Sequence, residues 1–170
     1  MTPAEKLADG IDTFIDAIGR ITAWSSFALA LVMGGNVLLR YGFNTGSVWS
    51  QELEWHLLAP LVLIGMTYAL NKGDHVRVDV LYARYSPRGQ ALVDFIAALL
   101  AIGMAVFVIR YSIPYVQQSL SIGEVSADPG GLTHRWLLKG LIPLGFALFA
   151  LQAAAQAVAA WRRFVAPAPA

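Results

Sequence analysis

Four long apolar stretches, separated by polar segments, dominate the hydrophobic pattern of this chain. A helix needs roughly 20 mostly apolar residues to cross the ~30 Å hydrocarbon region of a bilayer. The apolar runs are continuous and do not alternate with polar residues, so they favour helices over the strands of a barrel. The pattern predicts four transmembrane helices, at residues 21–39, 53–70, 92–109 and 141–161.

A shorter amphipathic pattern, over residues 2–19, precedes the first span. Its apolar side chains recur every three or four positions and its acidic side chains lie on the other side, which predicts a helix in the plane of the membrane interface. Because such helices usually carry a basic polar face, docking on a partner subunit is an open alternative. Together these helices are one predicted domain, 1–165, followed by a disordered tail at 166–170.

Composition narrows the chemistry open to the chain. Hydrophobic residues make up 57% and charged residues 14% of its 170 positions, and the formal charge of +1 gives no indication of nucleic-acid binding. Cysteine is absent, which excludes thiolate catalysis and iron–sulfur clusters. No charged residue falls near the middle of a predicted span, and no catalytic constellation is visible. We therefore expect neither enzymatic activity nor a cofactor.

The distribution of positive charge indicates the topology. Eight of the twelve Lys and Arg residues lie at the N-terminus, between the second and third spans, or at the C-terminus, and four lie on the opposite side. Since cytoplasmic loops are enriched in Lys and Arg, both termini are predicted to be cytoplasmic. The outer segment 110–140 is then the longest loop and a candidate contact surface.

The predicted outer face carries the first candidate residues. Arg40, Trp49 and Glu52 lie in or beside the short connection between the first two spans. Arg40 ends the first span and Glu52 begins the second, so we expect an ion pair that fixes the two helices at this end.

Several polar residues lie within the spans. Asn36 follows Gly34 and Gly35, which favours a close helix–helix contact, with a polar pathway as the alternative. Gln152 and Gln156 are one turn apart in the fourth span and also indicate a helix–helix contact.

The chain carries a series of short motifs in a fixed order: Asn36–Asn44, Trp49–Leu53, Tyr68–Ala69, His75–Asp79 and Pro143–Ala147. Together they resemble the small membrane subunit, or Q-subunit, of tripartite ATP-independent periplasmic (TRAP) transporters. The resemblance covers nearly the whole chain. One departure is Gln51, where many members of the family have a second glutamate.

The resemblance implies a sodium-driven uptake system in the inner membrane of bacteria or archaea. A periplasmic binding protein would capture an organic acid, and a large membrane subunit would carry it together with the sodium ions. The small subunit, surrounded by phospholipid, would brace the large subunit and help dock the binding protein. Arg40, Trp49 and Glu52 would then be structural or subunit-interface residues. The inner loop would be fastened to this chain or to the large subunit by His75, Arg77 and Asp79. A metal site is not predicted there, because one histidine near carboxylates is a weak signal for metal binding.

Two other classes remain open from the residues alone. A small proton-coupled multidrug exporter needs a membrane-embedded acid reachable from both sides, whereas Glu52 and Glu54 lie close to one end of a span. A membrane anchor of a respiratory enzyme needs haem ligands, and His56 is the one histidine within the predicted spans.

Overall fold

A computed structural model describes residues 3–74 and 79–165, and all the secondary structure in these ranges is helical. Four long helices and one short helix follow in order: α1 (Pro3–Phe43), α2 (Val48–Lys72), α3 (Asp79–Tyr82), α4 (Pro87–Ser121) and α5 (Arg135–Val165). The four long helices are each apolar and long enough to cross a membrane. The prediction of an all-helical protein with four spans is therefore confirmed.

Local sequence determines where the helices begin and end. The Ser47 hydroxyl accepts a hydrogen bond from the Ser50 amide at the start of α2, and Gly73 ends that helix with a φ of 74°, a left-handed conformation that favours glycine. Ser86 caps α4, whose first residue is Pro87. These caps satisfy backbone groups that the helix ends would otherwise leave unpaired.

The N-terminal helix differs from the prediction. Residues 2–19 were expected to form a helix of their own, but α1 runs without a break from Pro3 to Phe43. Its 41 residues extend for about 60 Å at ~1.5 Å per residue, roughly twice the hydrocarbon thickness. The amphipathic segment and the first span therefore belong to one continuous helix.

Helix α5 is the centre of the bundle, because it contacts α1, α2 and α4. Small buried residues on α4 recur at intervals of seven and form its seam against α5, a spacing that keeps one face turned toward a partner helix. They are Ala91, Ala98, Ala105, Ser112 and Ser119. Long apolar side chains elsewhere, such as Leu38 and Leu100, are about 70% exposed, as expected for residues that face lipid.

Some predicted positions lie outside the described residues. These are the tail at 166–170 and, in the loop after α2, His75 and Arg77. For Asp79 only the backbone is described, at the start of α3.

Candidate functional site

The end of the bundle that carries the α4–α5 connection, which we call the loop end, is organised around one carboxylate. Glu52, one turn into α2, accepts hydrogen bonds from the Ser126 hydroxyl and, at 2.6 Å, from the Leu132 amide. The Arg135 guanidinium, at the start of α5, lies 3.4 Å away. The Glu52 side chain is only 13% exposed. One acid thus joins α2, the connecting loop and α5.

The loop is shaped to reach this acid. Gly123 and Gly130 have φ values of 59° and 81°, and the Ser126 amide donates to the Leu132 carbonyl at 3.1 Å. A β-carbon on Gly131 would overlap the Ser126 side chain and would meet the Glu52 carboxylate at 2.8 Å, so glycine suits this close approach of the backbone. The turn-rich sequence of the loop is therefore what allows its backbone to lie against α2.

A second pair lies beside the first. Lys139 of α5 donates to the Glu124 carboxylate, and its ammonium lies 3.9 Å from the centroid of the Tyr115 ring. The Lys139 hydrogen bond is the main reason that the pKa of Glu124 lies below its ordinary value. The fully buried Ser119 hydroxyl also lowers the pKa of Glu124. Its contact with the Glu124 carboxylate does not have the geometry of a hydrogen bond, and the hydroxyl has no other partner among the described residues.

The predicted Arg40–Glu52 ion pair is wrong. Glu52 pairs with Arg135, while Arg40 is exposed and lines a cleft with Gln51 and Trp55. The reason is helical geometry: successive residues turn by about 100°, so positions 52 and 54 point to nearly opposite sides of α2. It is Glu54 that faces α1, where the Asn36 amide donates to it at 2.6 Å.

The other sites at the loop end stand as follows. Trp49 is 51% exposed on the first turn of α2. Asn36 makes an interhelical contact, as favoured from the sequence. Gly34 and Gly35 do not bring another helix of this chain close, since a β-carbon at either would meet nothing within 4 Å. The close approaches occur instead at Gly19, which packs on Tyr68, and at Gly145, which packs on Leu63.

A cluster of amides and acids joins three helices at the opposite end, which we call the terminal end. Gln152 of α5 is 1% exposed and donates to the Asp12 carboxylate of α1 at 2.7 Å. Asn71 of α2 lies 3.3 Å from both groups. Asp16, one turn along α1, pairs with Lys72. The helix–helix role predicted for Gln152 is confirmed.

This cluster explains the acidic side of the N-terminal helix. Asp12 and Asp16 face the bundle beside Ile15, which is 2% exposed, whereas Leu7 and Phe14 are at least half exposed. The acidic side faces the other helices of the bundle, where α2 and α5 offer Asn71, Lys72 and Gln152 as partners.

The terminal end also fastens α4 to α5. The Arg163 guanidinium donates to the Asp94 carboxylate at 2.9 Å, and the Tyr82 hydroxyl of α3 donates to the same oxygen at 2.9 Å. Gln156 donates to the Leu70 carbonyl of α2, which confirms its predicted interhelical contact.

The arrangement of the polar side chains supports a role in holding the helices together more than a role in catalysis or metal binding. Most of the polar contacts join helices toward their ends, while the buried Gln152 makes its contacts from the middle of α5. No group of three or more metal-ligating side chains occurs in residues 3–74 and 79–165. In the sequence, Arg135 and Lys139 stand out only as positive charges, and nothing near them indicates Glu52 and Glu124 as their partners. The Ser-Ala-Asp-Pro-Gly-Gly turn was the one signal that a compact loop would come close to α2. The class defined by these features is a polytopic helical membrane protein whose polar groups brace its own helices.

Comparison with known proteins gives the family. Residues 29–163 match the DctQ component of the tripartite ATP-independent periplasmic transporters, so this chain belongs to that family. It is 33% identical to a TRAP transporter small permease protein of Haemophilus influenzae over 125 residues, 71% of this chain and 76% of the relative. The members of this family are transport components and not enzymes, which confirms the expectation that the chain has no enzymatic activity. Membership also decides against the multidrug exporter and the respiratory membrane anchor.

Two further relatives carry more specific names. The C4-dicarboxylate TRAP transporter small permease protein DctQ of Pseudomonas aeruginosa is 31% identical over 102 residues, 59% of this chain and 48% of the relative. The ectoine TRAP transporter small permease protein TeaB of Halomonas elongata is 23% identical over 143 residues, 84% of this chain and 73% of the relative.

Proposed function

We propose that this chain is the stationary brace of a sodium-driven TRAP transporter for organic acids in a bacterial inner membrane. It holds a large elevator-type membrane subunit, which carries the substrate and the sodium ions, and it helps a periplasmic binding protein to dock. The observation that carries this proposal is that polar side chains join the helices at both ends of the bundle. A rigid frame needs its helices fixed to one another, whereas a moving carrier needs a polar path through its middle.

The proposed orientation puts the terminal end in the cytoplasm and the loop end in the periplasm, following the bias of positive charge. Glu52 then holds the α4–α5 loop where a periplasmic protein can reach it. Ile122 and Val125 in this loop are 66% and 57% exposed, and Asp128 is exposed as well. These side chains form the surface that we propose for the binding protein.

The large subunit is proposed to contact the outer side of α1. Phe27, Leu31 and Leu38 are more than half exposed there, and Gly34 between them leaves open space. Small residues let a second helix approach closely within a membrane. Arg40 and Trp49 lie exposed near this side at the loop end and stay predicted interface residues.

The cargo is proposed from the family and from one relative named for C4-dicarboxylates. The test is reconstitution of this chain in proteoliposomes together with the large subunit and the binding protein encoded by neighbouring genes. Uptake of a radiolabelled C4-dicarboxylate is then measured under an inward sodium gradient. Sodium-dependent uptake should require all three components. The Glu52→Ala variant should lower complex yield and uptake while sodium binding by the large subunit persists. Uptake by this chain alone, or full uptake without it, would overturn the proposal.

A further inference from the structure

A cavity of about 290 Å³ lies at the loop end between α2, α4 and α5. Its mouth is polar, with Glu124, Arg135 and Lys139 around it, and Tyr115 forms part of the wall. Ala59, Leu63 and Ile142 line the part farther from the loop. Ile142 is seven residues beyond Arg135 on α5, so the lining extends for about 10 Å along the helix, with Lys139 between its polar and apolar ends.

The charged side chains at the mouth form ion pairs that use only part of their hydrogen-bonding capacity. Lys139 is 14% exposed and Glu124 is 28% exposed, and the two are paired. Arg135 is 34% exposed and contacts Glu52 through a single nitrogen, Nη1. A guanidinium has five N–H donors and a carboxylate has about four acceptor positions, so both groups retain capacity for a further ligand. The mouth therefore offers donors from two cations beside acceptors from one anion.

This combination matches a particular ligand chemistry. A phosphate group accepts hydrogen bonds from Arg and Lys, and a primary ammonium donates to a carboxylate. An acyl chain below the headgroup fits an apolar wall at membrane depth. A choline headgroup has no N–H donor for Glu124, and a glycerol headgroup brings no positive charge.

We propose that this cavity binds a phospholipid with an ethanolamine headgroup. The phosphate lies against Arg135 and Lys139, the ammonium lies against Glu124, and one acyl chain lies along Ala59, Leu63 and Ile142. The proposal requires only that the four long helices span a membrane, and it is independent of the cargo and of the transport cycle. The bound lipid fills the gap between α2 and α4 on α5.

The test is native mass spectrometry of the full chain in mild detergent, titrated in turn with phosphatidylethanolamine, phosphatidylcholine and phosphatidylglycerol. We expect the ethanolamine lipid to bind about tenfold more tightly than either of the others. Ala59→Phe fills the apolar part without touching a charge and should remove most of this binding. Val62→Phe, on the exposed side of the same helix, is the matched control and should leave it unchanged.

A second variant keeps the test informative if Ala59→Phe does not fold. Glu124→Gln preserves the size of the side chain and removes the anion, so it should abolish the preference for ethanolamine over glycerol headgroups. Equal binding of the three lipids to the wild-type chain would overturn the proposal. So would an ethanolamine preference that persists in Glu124→Gln, or binding unaffected by a folded Ala59→Phe.

Discussion

Gly145 of α5 lies so close to Leu63 of α2 that a β-carbon at position 145 would meet the Leu63 β-carbon at 2.8 Å and its carbonyl oxygen at 3.0 Å. Nearby, the buried Thr67 hydroxyl donates to the Gly145 carbonyl at 3.5 Å. Since the backbone of α2 forms part of this contact, a larger residue cannot be accommodated by a side-chain movement alone. Gly145 therefore sets the distance between two helices of the brace.

Gly145→Ala should destabilise the bundle by about 1–3 kcal/mol, because the added methyl group overpacks this contact. The measurement is thermal unfolding in detergent, followed by tryptophan fluorescence. Gly140→Ala is the matched control on the same helix, where an added β-carbon meets nothing within 4 Å. It should be neutral or stabilising by up to ~1 kcal/mol through helix propensity. Equal Tm values for the two variants would contradict the assigned contact.

The loop should depend on Glu52 for its order. Glu52→Ala removes the acceptor for the Leu132 amide and the Ser126 hydroxyl, so hydrogen exchange should quicken in residues 124–132. Exchange within α4 and α5 should change little. Glu54→Ala is the control two positions along the chain, because Glu54 bonds Asn36 of α1 and not the loop. Unchanged exchange at Leu132 in Glu52→Ala would rule out the clamp.

Stability should fall in acid because of the Glu124–Lys139 pair. The folded state lowers the pKa of Glu124 below 4.5, so the pair stabilises the fold above that pH and this contribution is lost as pH falls through the lowered value. Nearby Arg135 acts in the same direction. Glu124→Gln should lower Tm near neutral pH and show a shallower acid decline. The measurement is Tm at intervals from about pH 6 to pH 3. Parallel pH profiles for the two proteins would count against this pair.

Gln152 should be essential for the contact of α1 with α5. Gln152→Leu replaces the amide with an apolar side chain of comparable size and removes the donor to the Asp12 carboxylate, which should cost about 1–3 kcal/mol. The measurement is again thermal unfolding in detergent, together with proteolysis of the N-terminal turns of α1. Gln117→Leu, on an exposed position of α4, is the control and should be close to neutral. A Gln152→Leu protein as stable as that control would show that the amide cluster adds nothing.

Helices were predictable from the sequence because the signals for them are local. Continuous apolar runs determine the spans, and Ser47, Gly73 and the Ser86–Pro87 pair determine helix ends through backbone groups a few positions away. The interhelical roles of Asn36 and Gln152 were also accessible, since a buried amide in an apolar helix needs a partner. The continuity of α1 was missed, because an amphipathic pattern next to a span does not reveal whether the helix bends between them.

The sequence by itself determined that this protein lies in a lipid bilayer, how many times it spans the bilayer, and that its charges concentrate near the helix ends. Only the tertiary structure decided which charges meet: Glu52 lies beside Arg135, 83 positions away, and not beside Arg40, which is much nearer along the chain. The physical reason is that the residues next to a charged side chain in the sequence do not indicate which distant side chain it pairs with. Partner choice depends on which side of each helix faces the bundle, and small residues such as Gly145 and Ala105 fix that by packing.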